Sequence, residues 1–280
     1  MVGFYKVFQT KGGAFMSNSI VSRRKFITAG LTFAAGAALV GCGAKEAASP
    51  ATASTTNIEA QPVPWIYEPL DPEVVRKRAY ENYFEGGCCY AAGKALVDSA
   101  KEKVGGPWNT IPTDMFKYGK GGALSWGTLC GALNGSLLVM NLVAGKDIDQ
   151  VGNELMGWYT MFPFPSTKMD SFAKFPNQIT TIANSPLCHV SVSLWANEAN
   201  AKINSDEKAD RCAKVSGDTA AEAVLILNKW KEGKFIPAYS PGSEFTSCLT
   251  CHNGAKSMLD NEQGKMNCAQ CHDDKLQGHP

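Results

Sequence analysis

Two stretches near the C-terminus repeat one pattern: Cys248-Leu249-Thr250-Cys251-His252 and Cys268-Ala269-Gln270-Cys271-His272. Two thiols three positions apart on a short turn can add to the two vinyl groups of one haem. The histidine directly after them is then placed under the iron as an axial ligand. A zinc ribbon also uses paired Cys-x-x-Cys motifs, but zinc would need only the four cysteines and would leave His252 and His272 without a role. The pattern therefore predicts two covalently attached c-type haems, one on Cys248 and Cys251 and one on Cys268 and Cys271. Fifteen residues separate His252 from Cys268, so one short loop tethers the two irons, a spacing suited to rapid electron exchange.

The chain holds four histidines, and two six-coordinate haems would use all of them. His252 and His272 are the proximal ligands, and His189 and His279 are the candidates for the distal positions. The rivals are Met258, Met266 or an open position. Bis-His irons have no vacant place for a substrate and would transfer electrons without activating a ligand. His189 directly follows Cys188; if the thiol binds a metal and the imidazole a haem iron, a single peptide unit joins two redox sites.

Five more cysteines lie outside the haem motifs and the N-terminal region: Cys88, Cys89, Cys130, Cys188 and Cys212. Disulfides are the ordinary expectation in an exported protein. The number is odd, however, and Cys88 and Cys89 are adjacent. The other reading is an iron–sulfur cluster held by three or four thiolates from different helices. Spacing alone leaves the two open.

The elements that must position these residues read as all-α. Asp71-Pro72-Glu73 is a helix start, with a cap, a proline at the first helical position and an acid at the positive end. That helix is expected to stop at Gly86-Gly87 and a second to run from about Cys88 to Val104. A third is expected over 123–144; the run 121–145 is uncharged, yet its scattered Ser and Asn residues favour a buried helix over a membrane span. Gly131, Ala132, Gly135 and Ser136 would allow close helix contact. Further helices are expected at about 148–161, capped by Asp147, at 189–202, and at 218–232, capped by Asp218. The resulting division is a targeting region (1–43), a flexible tether rich in Ala, Ser, Thr and Pro (44–64), a helical core (65–235), and a loop-rich dihaem segment (236–280).

Ser22-Arg23-Arg24-Lys25-Phe26-Ile27 reads as a twin-arginine export signal, with Met16 as a plausible start. Leu39-Val40-Gly41-Cys42 resembles a bacterial lipobox, in which Cys42 would be lipidated and anchor the mature chain to a membrane. These features predict a periplasmic protein. The near-neutral net charge of +1 gives no reason to expect nucleic acid as a partner.

Gly86-Gly87-Cys88-Cys89-Tyr90, then Leu129-Cys130-Gly131-Ala132-Leu133-Asn134-Gly135, then single Cys188 and Cys212, resemble the redox family named for its C, GCAxxG, C, C pattern. With the two haem motifs and the export signal, the chain is similar to the split-Soret cytochromes c over about residues 65–280. It departs from the pattern at Leu129, where glycine is expected, with the Ala and final Gly each shifted by one; Cys89 is an additional thiol. The resemblance implies a helical homodimer with two bis-His haems per chain, where an axial histidine can come from the other subunit. It also implies an iron–sulfur centre, a [2Fe–2S] type being favoured, on Cys88, Cys130, Cys188 and Cys212, with Cys89 as alternate to Cys88. The functional expectation is an electron carrier between redox partner proteins. The alternative is a small-molecule reductase using an open haem or an incompletely ligated cluster, although no acid–base constellation stands out.

Overall fold

The computed structural model describes residues 61–254, 257 and 264–270, and every regular element among them is helical, with only isolated bridges of extended chain. Cys42, Met258, Cys271, His272 and His279 lie outside the described residues. Helix α1 (Pro72–Lys103) starts where the capping pattern places it: the Asp71 carboxylate accepts from the N–H groups of Glu73 and Val74 at 2.9 and 3.3 Å. The expected break at Gly86-Gly87 is present as an interruption inside α1, where Gly87 has φ 79° and ψ −177°. Only glycine enters that backbone region readily. Cys88 therefore opens the second limb of α1.

Helix α2 (Gly131–Ala144) is shorter than the expected 123–144. The missing eight residues instead complete a left-handed loop, 121–127, and then run extended through Leu129 into Cys130. Gly121, Gly122, Ala123, Leu124, Ser125 and Gly127 all have positive φ, and Gly127 and Thr128 donate back to the carbonyls of Gly121 and Gly122 at 3.0 and 3.2 Å. Glycine takes this conformation freely, whereas each of the three other residues carries about 1–2 kcal/mol of strain. The uncharged run mimicked a helix, and its glycines decide otherwise.

Helix α3 (Ile148–Met161) has the expected bounds. Asp147 precedes it but makes no side-chain cap; its carboxylate instead accepts from Trp230 Nε1 at 3.2 Å. Helix α4 (Cys188–Glu198) is shorter than expected, and α5 (Asp206–Lys231) is much longer. Ser205 caps α5 by accepting from Lys208 N at 3.2 Å. Asp218 is no cap: it sits buried in mid-helix, accepts from Arg76, and takes Ser166 N and Ser166 Oγ at 2.9 and 2.6 Å. Helix α6 (Ser243–Cys248) follows in the tail. No helix among the described residues is long and apolar enough to cross a membrane.

Helices α1 and α5 form the central pair; α2 lies against both, and α3 packs on α2 and α5. Gly135 permits the close approach of α2 to α1, since a Cβ there would fall 2.4 Å from the Cys89 carbonyl oxygen and 2.9 Å from Gly93 N. Trp108, Leu133, Met140, Leu155, Tyr159 and Leu227 are fully buried between these elements. Burying each large aliphatic side chain stabilises the fold by about 1.5–3 kcal/mol.

The long connection from α3 to α4 is tied to α5 by buried polar groups. Lys214 Nζ donates to Asp170 Oδ1 at 2.6 Å and to the Phe175 carbonyl at 2.7 Å. Asp210 accepts from Tyr80 Oη and, at 3.1 Å, from Lys174 N. An unpaired charge buried at either place would be costly, so the connection is fixed in register. It then returns the chain to α4 with Cys188 facing α5.

Candidate metal centre

Cys130 and Cys188 are brought together by backbone pairing. Cys130 N donates to Pro186 O at 2.9 Å, Cys188 N to Thr128 O at 2.7 Å, and His189 N to Gly127 O at 3.1 Å, with Leu129 and Leu187 in an antiparallel bridge. Each cysteine thus stands at a helix N-terminus: Cys130 immediately before α2 and Cys188 as the first residue of α4.

Cys88 arrives from the second limb of α1 and Cys212 from α5. The Cys88 thiol is hydrogen-bonded to Cys130. Cys188 is in electrostatic contact with both Cys88 and Cys212. Four cysteines from four separate segments therefore form one linked group. Cys89 is coupled to it only through the charge of Cys88; its own sulfur lies against Gly119, where an added Cβ would come within 2.5 Å. Gly131 makes room for Cys88, since a Cβ on it would fall 2.3 Å from the Cys88 sulfur and 2.6 Å from the Gly119 carbonyl oxygen.

Burial dominates the electrostatics. It pushes the Cys188 thiol up to about 12, helped by Cys88 and Cys212 and opposed by Lys208 and Arg211. Burial likewise raises Cys89 to about 12, with Cys88 adding to it. The hydrogen bond to Cys130, followed by burial, raises Cys88 well above a normal thiol. As free thiols these groups are protonated and unreactive near neutral pH. A metal ion reverses that preference, because its charge favours the thiolates that ligate it.

A set of four sulfurs, two of them buried (Cys88, Cys130) and two half-buried (Cys188, Cys212), is soft and fits iron or zinc rather than a hard cation. Among the described residues no three Cys, His or acidic side chains are already spaced as a finished cage; the thiols are paired by hydrogen bond and charge instead. Two tyrosines border the group, and neither drew notice in the sequence. Tyr83 lies beside Cys212 and within the electrostatic reach of Cys88 and Cys188, and Tyr159 lies beside Cys130. An aromatic residue on a core face gives no sign of such a role. The left-handed loop 121–127 borders it as well: added Cβ atoms on Gly122 and Gly127 would fall 2.9 and 3.0 Å from the Cβ atoms of Cys188 and His189.

His189 is exposed while its neighbour Cys188 is half-buried, as expected of successive residues about 100° apart on a helix. The first haem motif forms a turn at the end of α6, with Cys251 N and His252 N both donating to the Cys248 carbonyl at 3.2 and 3.0 Å. Cys268, the first residue of the second motif, hydrogen-bonds Cys248; burial and this neighbour raise its thiol. The tail is held on α3: Glu154 Oε2 accepts from Ala238 N and Tyr239 N, both at 2.8 Å, and the Tyr239 ring covers Gly157. Lys265 Nζ reaches Asn153 Oδ1 at 3.1 Å.

Comparison with known proteins gives the family and the fold. The chain matches, over residues 90–226, the family described as "Putative redox-active protein (C_GCAxxG_C_C)"; Cys130, Cys188 and Cys212 lie within the match and Cys88 two residues ahead of it. It is 31% identical over 263 residues to the split-Soret cytochrome c of Desulfovibrio desulfuricans, covering 90% of this chain and 94% of that protein. The chain belongs to the split-Soret cytochrome c family. A solved structure of the D. desulfuricans protein, described for a novel iron centre, superposes with a TM-score of 0.70 at 30% identity, covering 77% of this chain and 92% of that one. Membership makes this an all-α redox protein of cytochrome type, and the split-Soret fold is the one described above.

Proposed function

We propose that this protein is an exported dihaem c-type cytochrome that passes electrons between redox partner proteins and carries a second, iron–sulfur centre in its helical core. The observation that carries this reading is the convergence of Cys88, Cys130, Cys188 and Cys212 in a chain that also has two Cys-x-x-Cys-His motifs. Cys248 and Cys251 would hold one haem, with His252 to ligate its iron, and Cys268 and Cys271 would hold the other, with His272 to ligate its iron. His189 and His279 complete the coordination. Cys88, Cys130, Cys188 and Cys212 hold a cluster of [2Fe–2S] type. When bound, these groups each take up and release one electron at a time.

The chain's own residues fix the arrangement. Gly87 breaks α1 ahead of Cys88, Gly131 makes room for the Cys88 sulfur, the buried ion pairs hold the α3–α4 connection, and Glu154 holds the tail. Export by the twin-arginine route through Arg23 and Arg24 accounts for periplasmic location, and Cys42 supplies a lipid anchor. The working unit is a homodimer, as the resemblance read from the sequence implies, and the net charge of +1 gives no reason to expect a nucleic-acid partner.

The test is carbon monoxide added to the reduced holo-protein. Two bis-His haems leave the spectrum nearly unchanged. A strong shift would mean an open haem and would favour a small-molecule reductase instead.

A further inference from the structure

The loop 121–127 carries two apolar side chains that the helical core does not use. Trp126 is 82% exposed and Leu124 73%; with Ile236 they are the most exposed large apolar side chains among the described residues. Single exposed apolar residues are ordinary, but this pair stands on a loop built to hold it. Ala123, Leu124 and Ser125 have φ of 55, 51 and 68°, a left-handed conformation that residues with a Cβ keep only when their surroundings impose it. Backbone hydrogen bonds impose it here: Leu124 N donates to Tyr118 O at 2.8 Å, Ser125 N to Lys120 O at 2.9 Å, and Trp126 N to Ala123 O at 2.9 Å. The same loop clasps His189. His189 N donates to Gly127 O at 3.1 Å, and a Cβ on Gly127 would fall 3.0 Å from the His189 Cβ and 3.8 Å from its Cγ. His189 is exposed as well, and it is the only histidine of the core segment 65–235. An imidazole and two apolar side chains thus stand exposed on segments that are tied to each other.

Resting on the reading of His189 as a haem ligand, we infer that Leu124 and Trp126 form the apolar wall against which the His189-ligated haem lies. The chemistry of the surface selects this occupant. A haem is a broad apolar macrocycle around an iron that takes an imidazole, so one group meets both the apolar pair and the histidine. An apolar partner without a metal would cover Leu124 and Trp126 and leave the imidazole beside them unused. The wall serves a haem from either chain of a homodimer, because the loop and the ligand are held together in each copy. Covering the pair takes apolar surface out of water, which offsets the strain held in 123–125. It also keeps water from the haem on the His189 side. A ferric haem carries one more positive charge than a ferrous one, and a drier surround disfavours that charge. The wall therefore raises the reduction potential of this haem.

The experiment combines hydroxyl-radical footprinting of holo-protein with optical redox titration of its haems, for wild type, Trp126→Ala, Leu124→Ala and His189→Ala. In wild type, Trp126 should be oxidised several-fold more slowly than in the same protein unfolded in guanidinium. Trp126→Ala and Leu124→Ala remove side chains that the helical core does not pack, and both should keep two low-spin haems. Each should shift one haem toward the ferric form, by up to about tenfold in its one-electron equilibrium, ~59 mV. His189→Ala should change the ligation of that same haem. Oxidation of Trp126 at the unfolded rate would overturn the inference. Protection of Trp126 with unmoved haem potentials in both the Trp126 and Leu124 variants would overturn it too, and would mark the loop as a face covered by a second copy of the chain. An unaltered haem spectrum in His189→Ala would overturn the ligand assignment and this inference with it; an altered spectrum there, with unmoved potentials in the other two variants, would overturn the inference alone.

Discussion

Replacing Gly87 by alanine strikes the one residue that breaks α1 beside Cys88. At φ 79° and ψ −177° the backbone is in a region that side chains bearing Cβ rarely enter, at a cost on the order of 1–3 kcal/mol. A Cβ there would also press on the Lys120 side chain at 3.1 Å, which is flexible and can yield. Alanine recovers roughly 0.4–1 kcal/mol by restricting the unfolded chain. The net expectation is a loss of about 1–2 kcal/mol, or a fall in Tm of about 2–8 °C for a domain of this size. If the chain relieves the strain by continuing α1 as a regular helix, the second limb turns and Cys88 leaves Cys130. Non-haem iron should then fall together with stability. The assay is denaturant unfolding plus iron quantification, with Gly242→Ala as control, because a Cβ on Gly242 meets nothing within 4 Å. Wild-type stability and iron content in Gly87→Ala would refute the reasoning.

The thiol environment predicts that in metal-free protein Cys188, raised to about 12 from 9.0, reacts with iodoacetamide at pH 8 about a thousandfold more slowly than a free cysteine, since only the thiolate attacks; mass-resolved labelling at normal rate would contradict this. A folded pKa raised above the unfolded value contributes stability that is complete below pH 9 and lost as pH rises toward 12, so iron-free protein should weaken across that window, and alkaline denaturation curves that stay flat there would exclude it. Glu154→Ala removes the acceptor for Ala238 N and Tyr239 N, and should loosen the tail by about 1 kcal/mol. Limited proteolysis near residues 236–243 should quicken while the core's unfolding midpoint holds; equal cleavage rates would show that the tail is held by other contacts.

Local rules made much of the fold legible. Asp71-Pro72 announces α1, Gly86-Gly87 its interruption, and the spacing of apolar residues bounds α3 closely. The failures have separate physical causes. Helix α5 begins at Asp206 rather than 218 because Asp210, Arg211 and Lys214 look like surface residues but are buried and paired at long range. Asp218 looked like a cap for the same reason, its partners Arg76 and Ser166 being far away in sequence. The run 123–130 has a helix's hydrophobicity, but its backbone follows the flanking glycines. The cysteine types and the Cys-x-x-Cys-His spacing were readable from sequence alone. That Cys88 and not Cys89 faces Cys130 was not, because it depends on the phase of the second limb after Gly87 and on the room left by Gly131. The places of Tyr83 and Tyr159 beside the thiols escaped notice because they arise only when α1, α3 and α5 are packed together.

The central claim is that one chain carries two covalent haems and a separate iron centre. It is tested most directly on protein matured in a haem-attaching periplasm, by intact mass combined with haem and total iron quantification. The predicted result is a mass two haems above the mature polypeptide, haem that acidic acetone does not extract, and iron in excess of the two haem irons that disappears in Cys130→Ala. One haem per chain, zinc in place of haem, or total iron equal to haem iron would contradict it.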